Sequence, residues 1–107
     1  MLCMKKYITI QTTTAEKKQA RKIAKFLLKN RLCACVQIRK ITSFYKWQGK
    51  ICEDKEYLLQ IKSRKKHFEA ITAYIHKIHS YEIPQVLSFP IESTSKPYQK
   101  WLDKEMG

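Results

Sequence analysis

Three groups of side chains in this 107-residue chain have the type and spacing to do chemistry. Cys33 and Cys35 stand two apart in a β-rich stretch, so on a strand both sulfurs point to one face and could share a soft metal ion. Structural zinc wants four nitrogen or sulfur donors, and no second paired-cysteine element follows, which favours buried cysteines acting as small hydrophobes. His76 and His79 lie one helical turn apart with Glu82 nearby, a spacing at which two imidazoles can meet one metal ion. A histidine at a helix C-terminus also interacts with the dipole and with solvent, which needs no metal. Lys62, Arg64, Lys65, Lys66 and His67 crowd the expected start of a second helix, where free N–H groups attract an anion. Positive side chains oppose the helix dipole there, so a bound anion or an acidic neighbour would relieve them. A solvated basic face is the simpler account.

Other chemistries are disfavoured by what is missing. There is no Gly-x-Ser-x-Gly elbow, and no cysteine has a sequence-marked histidine partner. The two glycines are Gly49 and Gly107, so neither a phosphate loop nor a dinucleotide fingerprint can be written. An acylphosphatase-like hydrolase would want a glycine-rich anion loop after the first strand, which this chain lacks. The expectation is a protein that is not an enzyme and requires no cofactor.

The length and the 44% hydrophobic residues suit one domain spanning 1–107, with an ordered core of about 7–104. The start, Met1 to Lys6, offers no apolar stretch or cleavage site, and no run approaches a membrane span, so a cytoplasmic protein without a membrane partner is expected. Reduced thiols are then expected at Cys3, Cys33, Cys35 and Cys52. The net charge of +13 invites a polyanion. Lysine dominates over arginine and is spread along the chain, however, whereas phosphate and base readout favour arginine forks.

The elements that must position these groups follow from periodicity. Tyr7 to Thr12 alternates as a first strand. Thr13 and Glu16 have capping-box spacing for a helix over 15–29, whose stripe is Ala20, Ile23, Ala24, Leu27 and Leu28, with Asn30 as its stop. Ser63 can cap a second helix with the stripe Phe68, Ile71, Ile75 and Ile78. Pro84 to Ile91 reads as a fourth strand, and Pro97 marks a short third helix carrying Tyr98, Trp101 and Leu102. The order β-α-β-β-α-β-α is a ferredoxin-like α+β arrangement.

Between the helices lies an overlong β-hairpin, from about Leu32 to Ser63. Gly49 suits the second central position of a tight turn after Gln48. Two-residue registry then sets Val36 opposite Ile61 and Ile38 opposite Leu59. The apolar parity changes between Ile38 and Ile41, which points to a bulge or bend near Arg39 and Lys40. Strands of this length outrun two helices, leaving Phe44, Tyr45 and Trp47 exposed unless the arm folds back or identical chains associate. An RNA-recognition module shares this element order, but its third strand needs aromatic rings and a glycine. Here that strand reads Glu53 to Ile61, acidic where rings are wanted.

The run Cys33 Ala34 Cys35 Val36, then Ser43, Tyr45, Trp47, Gly49 and Lys50, then Glu56, Leu59 and Lys62, resembles the CutA family. His79, Tyr81, Glu82, Pro84, Pro90, Tyr98 and Trp101 continue the likeness, which covers Tyr7 to Leu102. It implies a homotrimer with the hairpins, including Phe44, Tyr45 and Trp47, packed between subunits. It implies a role in tolerance of divalent cations, including copper. CutA proteins are similar in architecture to PII signalling proteins, a fold-level analogy that would admit a metal or small anion in the subunit clefts, near Lys62, Tyr81, Glu82 and Trp101. The family's copper donors, a cysteine ending the first strand and adjacent histidines before Tyr-x-x-Pro, correspond here to Gln11 and to Ile78 and His79, so only His79 matches.

Overall fold

The computed structural model describes residues 7–107; Cys3 lies outside them. The elements are β1 (Tyr7–Thr14), α1 (Lys17–Lys29), β2 (Cys35–Trp47), β3 (Lys50–Arg64), a short 3-10 turn (Lys65–His67), α2 (Phe68–Ile78), β4 (Val86–Pro90) and α3 (Lys96–Met106). The antiparallel strands run in the order β2-β3-β1-β4, the ferredoxin-like sheet expected from the element order. Side chains alternate across this sheet. On one face Ile8, Ile10, Leu59 and Ile61 meet Ala20, Ile23 and Leu27 of α1 and Ile71 and Ile75 of α2. α3 packs separately, and its Leu102 and Met106 form a second small core with Tyr7 and Ala34.

Two predicted caps are corrected. Thr13 is still in β1, which pairs with β3 as far as Thr14 and Tyr57, so the ladder outcompetes a capping box. Helix α1 starts at Lys17, with Thr14 donating from Oγ1 to the Glu16 carbonyl at 2.8 Å. Ser63 likewise belongs to β3, where its hydroxyl donates to the Leu32 carbonyl at 2.6 Å and stitches the hairpin base. Leu28, expected on the α1 stripe, is exposed, because the Ile23–Leu27 row already defines the buried side.

The C-terminus of α1 closes as a Schellman motif. Leu32 N–H donates to the Leu27 carbonyl at 2.9 Å and Arg31 N–H to that of Leu28 at 3.1 Å, satisfying carbonyls the helix leaves open. The left-handed residue this requires is Arg31, at φ 56°. Its guanidinium reaches Lys104 O at 2.8 Å, tying α1 to α3.

The hairpin turn has Gln48 at φ 51° and Gly49 at φ 81°, the double positive φ of a type I′ turn. Val36 pairs with Ile61 and Ile38 with Leu59, as two-residue registry predicts. Of the bulge or bend expected near Arg39 and Lys40, the bulge is absent: pairing runs without interruption from Cys35–Lys62 to Trp47–Lys50. The parity changes because the covered face changes. Near the base Val36 packs against the helix-side core, Ile38 on the same face is already exposed, and beyond them Ile41, Tyr45 and Trp47 occupy the opposite face. The arm stretches the molecule to 49 × 27 × 22 Å.

Candidate functional site

The sheet face opposite α1 and α2 carries two clusters, one at each end. Strand alternation brings Asp54 and Glu56 of β3, Ser43 and Tyr45 of β2 and Thr13 of β1 onto this face. The 80–85 segment after α2 wraps beside them, and Thr13, Ser43, Tyr45 and Glu56 line a cleft of about 650 Å³ with Phe44, Trp47, Tyr81, Glu82 and Ile83, while Asp54 is tied to it through Tyr45. Helix α2 ends at Ile78 with His79 extended as its C-cap, and Ile83, just ahead of Pro84, is exposed.

Glu56 is 7% exposed, and a buried carboxylate needs a donor. Tyr81 supplies it, its hydroxyl donating to Glu56 Oε2 at 2.6 Å. Burial, and then the Glu56 carboxylate, push the Tyr81 phenol well above its usual range. Tyr45 donates to Asp54 Oδ2 on the neighbouring strand, and that bond raises the Tyr45 pKa to about 12. No lysine or arginine lines the cleft among the described residues.

His79 builds the wall rather than offering a ligand. Its Nε2 lies 2.7 Å from the Thr13 carbonyl, which only accepts, so Nε2 carries the hydrogen. Its Nδ1 accepts the Tyr81 N–H at 3.0 Å. Both ring nitrogens are occupied, and in this arrangement no lone pair remains for a metal ion. His76 stays exposed on α2 while His79 has left the helix, so the two do not converge. Cys33 and Cys35 also fail to make a paired site. Cys33 precedes β2 in the helix-side core, where burial raises its pKa to about 12, and Cys35 sits beside Tyr98 of α3. Among the described residues no three of His, Cys, Asp and Glu are grouped to hold a metal ion.

At the other end of the same face, Tyr7 donates to Asp103 Oδ1 at 2.6 Å, as the cleft tyrosines do to their carboxylates. Here a cation joins: Arg64 meets the same oxygen at 2.6 Å. Asp103 is thus the acidic neighbour that the basic run at 62–67 called for. Lys62 donates to Gln37 Oε1 at 2.7 Å, and Trp101 stacks on Tyr98 with centroids 5.5 Å apart.

Of the four residues expected at a ligand cleft, one protomer therefore brings together only Tyr81 and Glu82. Lys62 lies six residues along β3 from Glu56, about 20 Å at strand rise, with Trp101 on α3. Phe44, Tyr45 and Trp47, expected between subunits, line the cleft and are exposed in the protomer. Asp54 and Glu56 were not singled out as site residues, although acids two apart on a strand share a face. The open face of β1 and β3 has no stacking ring apart from Tyr7, which α3 covers, so it lacks the platform of an RNA-recognition module.

Similarity to known proteins agrees with this geometry. The sequence pattern of the CutA1 divalent ion tolerance protein family matches residues 8–105. The chain is 37% identical over 98 residues to the divalent-cation tolerance protein CutA of Pyrococcus horikoshii, covering 92% of this chain and 96% of that one. It is 43% identical over 97 residues to the protein CutA homolog of Xenopus laevis, covering 90% of this chain but 62% of the relative. It spans about half the length of the Mus musculus protein CutA that it also matches. The solved structure of the periplasmic divalent cation tolerance protein CutA from Archaeoglobus fulgidus superposes with a TM-score of 0.92 at 34% identity, covering 94% of this chain and 99% of that one. Sequence pattern, relatives and architecture coincide over nearly the whole length, and the chain belongs to the CutA1 divalent ion tolerance family.

Proposed function

We propose that the protein works as a homotrimer that binds a divalent cation, copper among the candidates, at its subunit clefts, contributing to ion tolerance without catalytic turnover. The observation that carries this reading is the uncompensated acidic cleft. Glu56 and Glu82 line it, Glu56 and the adjoining Asp54 are each held by a tyrosine hydroxyl, yet among the described residues no basic side chain lines the space. Where the same pairing recurs at Tyr7 and Asp103, Arg64 completes it. A cation entering the cleft would play the part of Arg64. The donors available in one protomer are carboxylate and phenol oxygens, and they do not form a closed metal site by themselves. The reading therefore needs a neighbouring chain to complete the coordination.

Support for assembly comes from the arm. Phe44 is 68% and Ile51 76% exposed, and Leu87 and Phe89 of β4 lie uncovered on the face opposite α1 and α2. Three-fold association would bury this apolar surface. It would also allow Lys62 and Trp101 of one protomer to approach Tyr81 and Glu82 of the next. A small anion is the second reading, favoured by the half-buried Lys62, whose ammonium meets a neutral amide rather than a carboxylate.

Light scattering together with calorimetric titration of Cu(II), Zn(II) and inorganic phosphate tests both parts. A trimer that takes up a metal ion, with affinity falling about tenfold or more in Glu56→Gln, supports the proposal. A stable monomer removes the assembly, and heat from phosphate alone transfers the site to an anion.

A further inference from the structure

The helix layer carries a charge pattern that the cleft does not use. Helix α1 presents Lys17, Lys18, Arg21, Lys22, Lys25 and Lys29, all exposed, and contains no acidic residue. Six of the chain's 22 lysines and arginines thus occupy 13 residues, so the positive charge is concentrated and not simply spread along the chain. None of the six is in an ion pair among the described residues. Five of them flank one shallow groove of about 590 Å³ along the helix.

This arrangement works against the helix that carries it. Lys17, Arg21 and Lys25 repel one another at successive four-residue separations, as do Lys18 and Lys22. Lys17 and Lys18 also sit at the positive end of the helix dipole, with no acid in the first turn and no side-chain cap. The helix persists because Ala20, Ile23 and Leu27 are fully buried against the sheet. A polyanion along the exposed side would relieve the mutual repulsion and the dipole together.

We infer that the exposed side of α1 is a docking strip for the phosphate backbone of nucleic acid, bound without regard to sequence. The chemistry of the strip sets that character. Five of the six cations are lysines, which meet phosphate as point charges and do not make the planar forks that read bases. The strip is also linear: 13 residues extend about 20 Å, and a duplex offers one charge per roughly 1.7 Å of axis. An anionic membrane fits less well, because the apolar side of α1 is committed to the core and has nothing to insert between lipids. This mode is separate from that of an RNA-recognition module, whose platform would be the opposite sheet face. It depends neither on cation uptake nor on trimer formation.

Fluorescence anisotropy with a labelled duplex DNA of arbitrary sequence, at about 50 and about 200 mM salt, tests the inference. With four or five phosphates neutralised, affinity is expected to fall by about 10²-fold or more across that range. The double variant Arg21→Glu, Lys25→Glu should abolish binding at both salts. The milder pair Arg21→Gln, Lys25→Gln should weaken it about tenfold or more, with helix content checked by circular dichroism. Lys65→Glu, Lys66→Glu changes net charge as much as the first pair but at another exposed place, and should retain binding. No binding at the lower salt overturns the inference. So does an equal loss in the two charge-reversed proteins, which would mean net charge alone, or binding to anionic vesicles that duplex DNA cannot displace.

Discussion

The two ends of the open sheet face use the same bond and reach opposite outcomes. At the α3 end, Tyr7 and Arg64 converge on Asp103, closing a network that contains its own counterion. At the hairpin end, Tyr45 and Tyr81 hold Asp54 and Glu56, and the space before them is left to an incoming group. A tyrosine–carboxylate pair is thus not itself the mark of a site. What separates a structural clasp from a candidate binding cleft is whether the chain supplies the matching charge.

Breaking the clasp should cost the most. Arg64 is 5% exposed, so Arg64→Ala removes a buried cation and its charged hydrogen bond to Asp103 and should lower stability by about 3 kcal/mol in urea unfolding. A loss below about 1 kcal/mol would show that the ion pair is dispensable. In the cleft, Tyr81→Phe removes the donor to a buried carboxylate and should cost about 1–2 kcal/mol, while also changing the affinity for a cation. An effect on stability with no effect on binding would move Glu56 to the structural side of the comparison.

Alkaline pH sharpens the contrast between core and cleft. The Cys33 thiol has its pKa raised by burial from 9.0 to about 12. The unfolded chain therefore releases this proton near pH 9 while the folded one keeps it. That contribution to stability is complete below pH 9 and is lost as pH rises toward 12, by on the order of 1 kcal/mol per unit. Cys33→Ala should flatten the slope between about pH 9 and 11, which thermal melts across that interval would measure. The smallest effect is expected from Tyr45→Phe: Tyr45 lies on the exposed arm, and its loss should leave the melting temperature of the protomer unchanged while altering cation affinity.

The hairpin divides what was legible from what was not. Gln48 and Gly49 specified the turn, and the turn specified register, because with two loop residues each pairing follows from the last. Val36 opposite Ile61 is therefore a consequence of the turn residues alone. The parity change beyond Ile38 was equally visible, but its cause was not. Alternation alone cannot distinguish an inserted residue from a strand that leaves its helical cover, since both move apolar side chains to the other face. Thr13 and Ser63 failed as caps for a related reason: cap motifs are local, and both residues had stronger long-range partners in the sheet or the hairpin base.

Of the candidate site, Tyr81 and Glu82 were legible as neighbours because they are adjacent in the chain. The partnership of Tyr81 with Glu56, 25 residues away, belongs to the tertiary structure, as does the role of His79, decided by two backbone groups that occupy its nitrogens. The residues of this chain by themselves determined the element order, the turn and the hairpin register, all properties of short-range periodicity and chain geometry. Which carboxylate has a counterion and which faces an open cleft was decided only by folding, because charge compensation depends on distance in space.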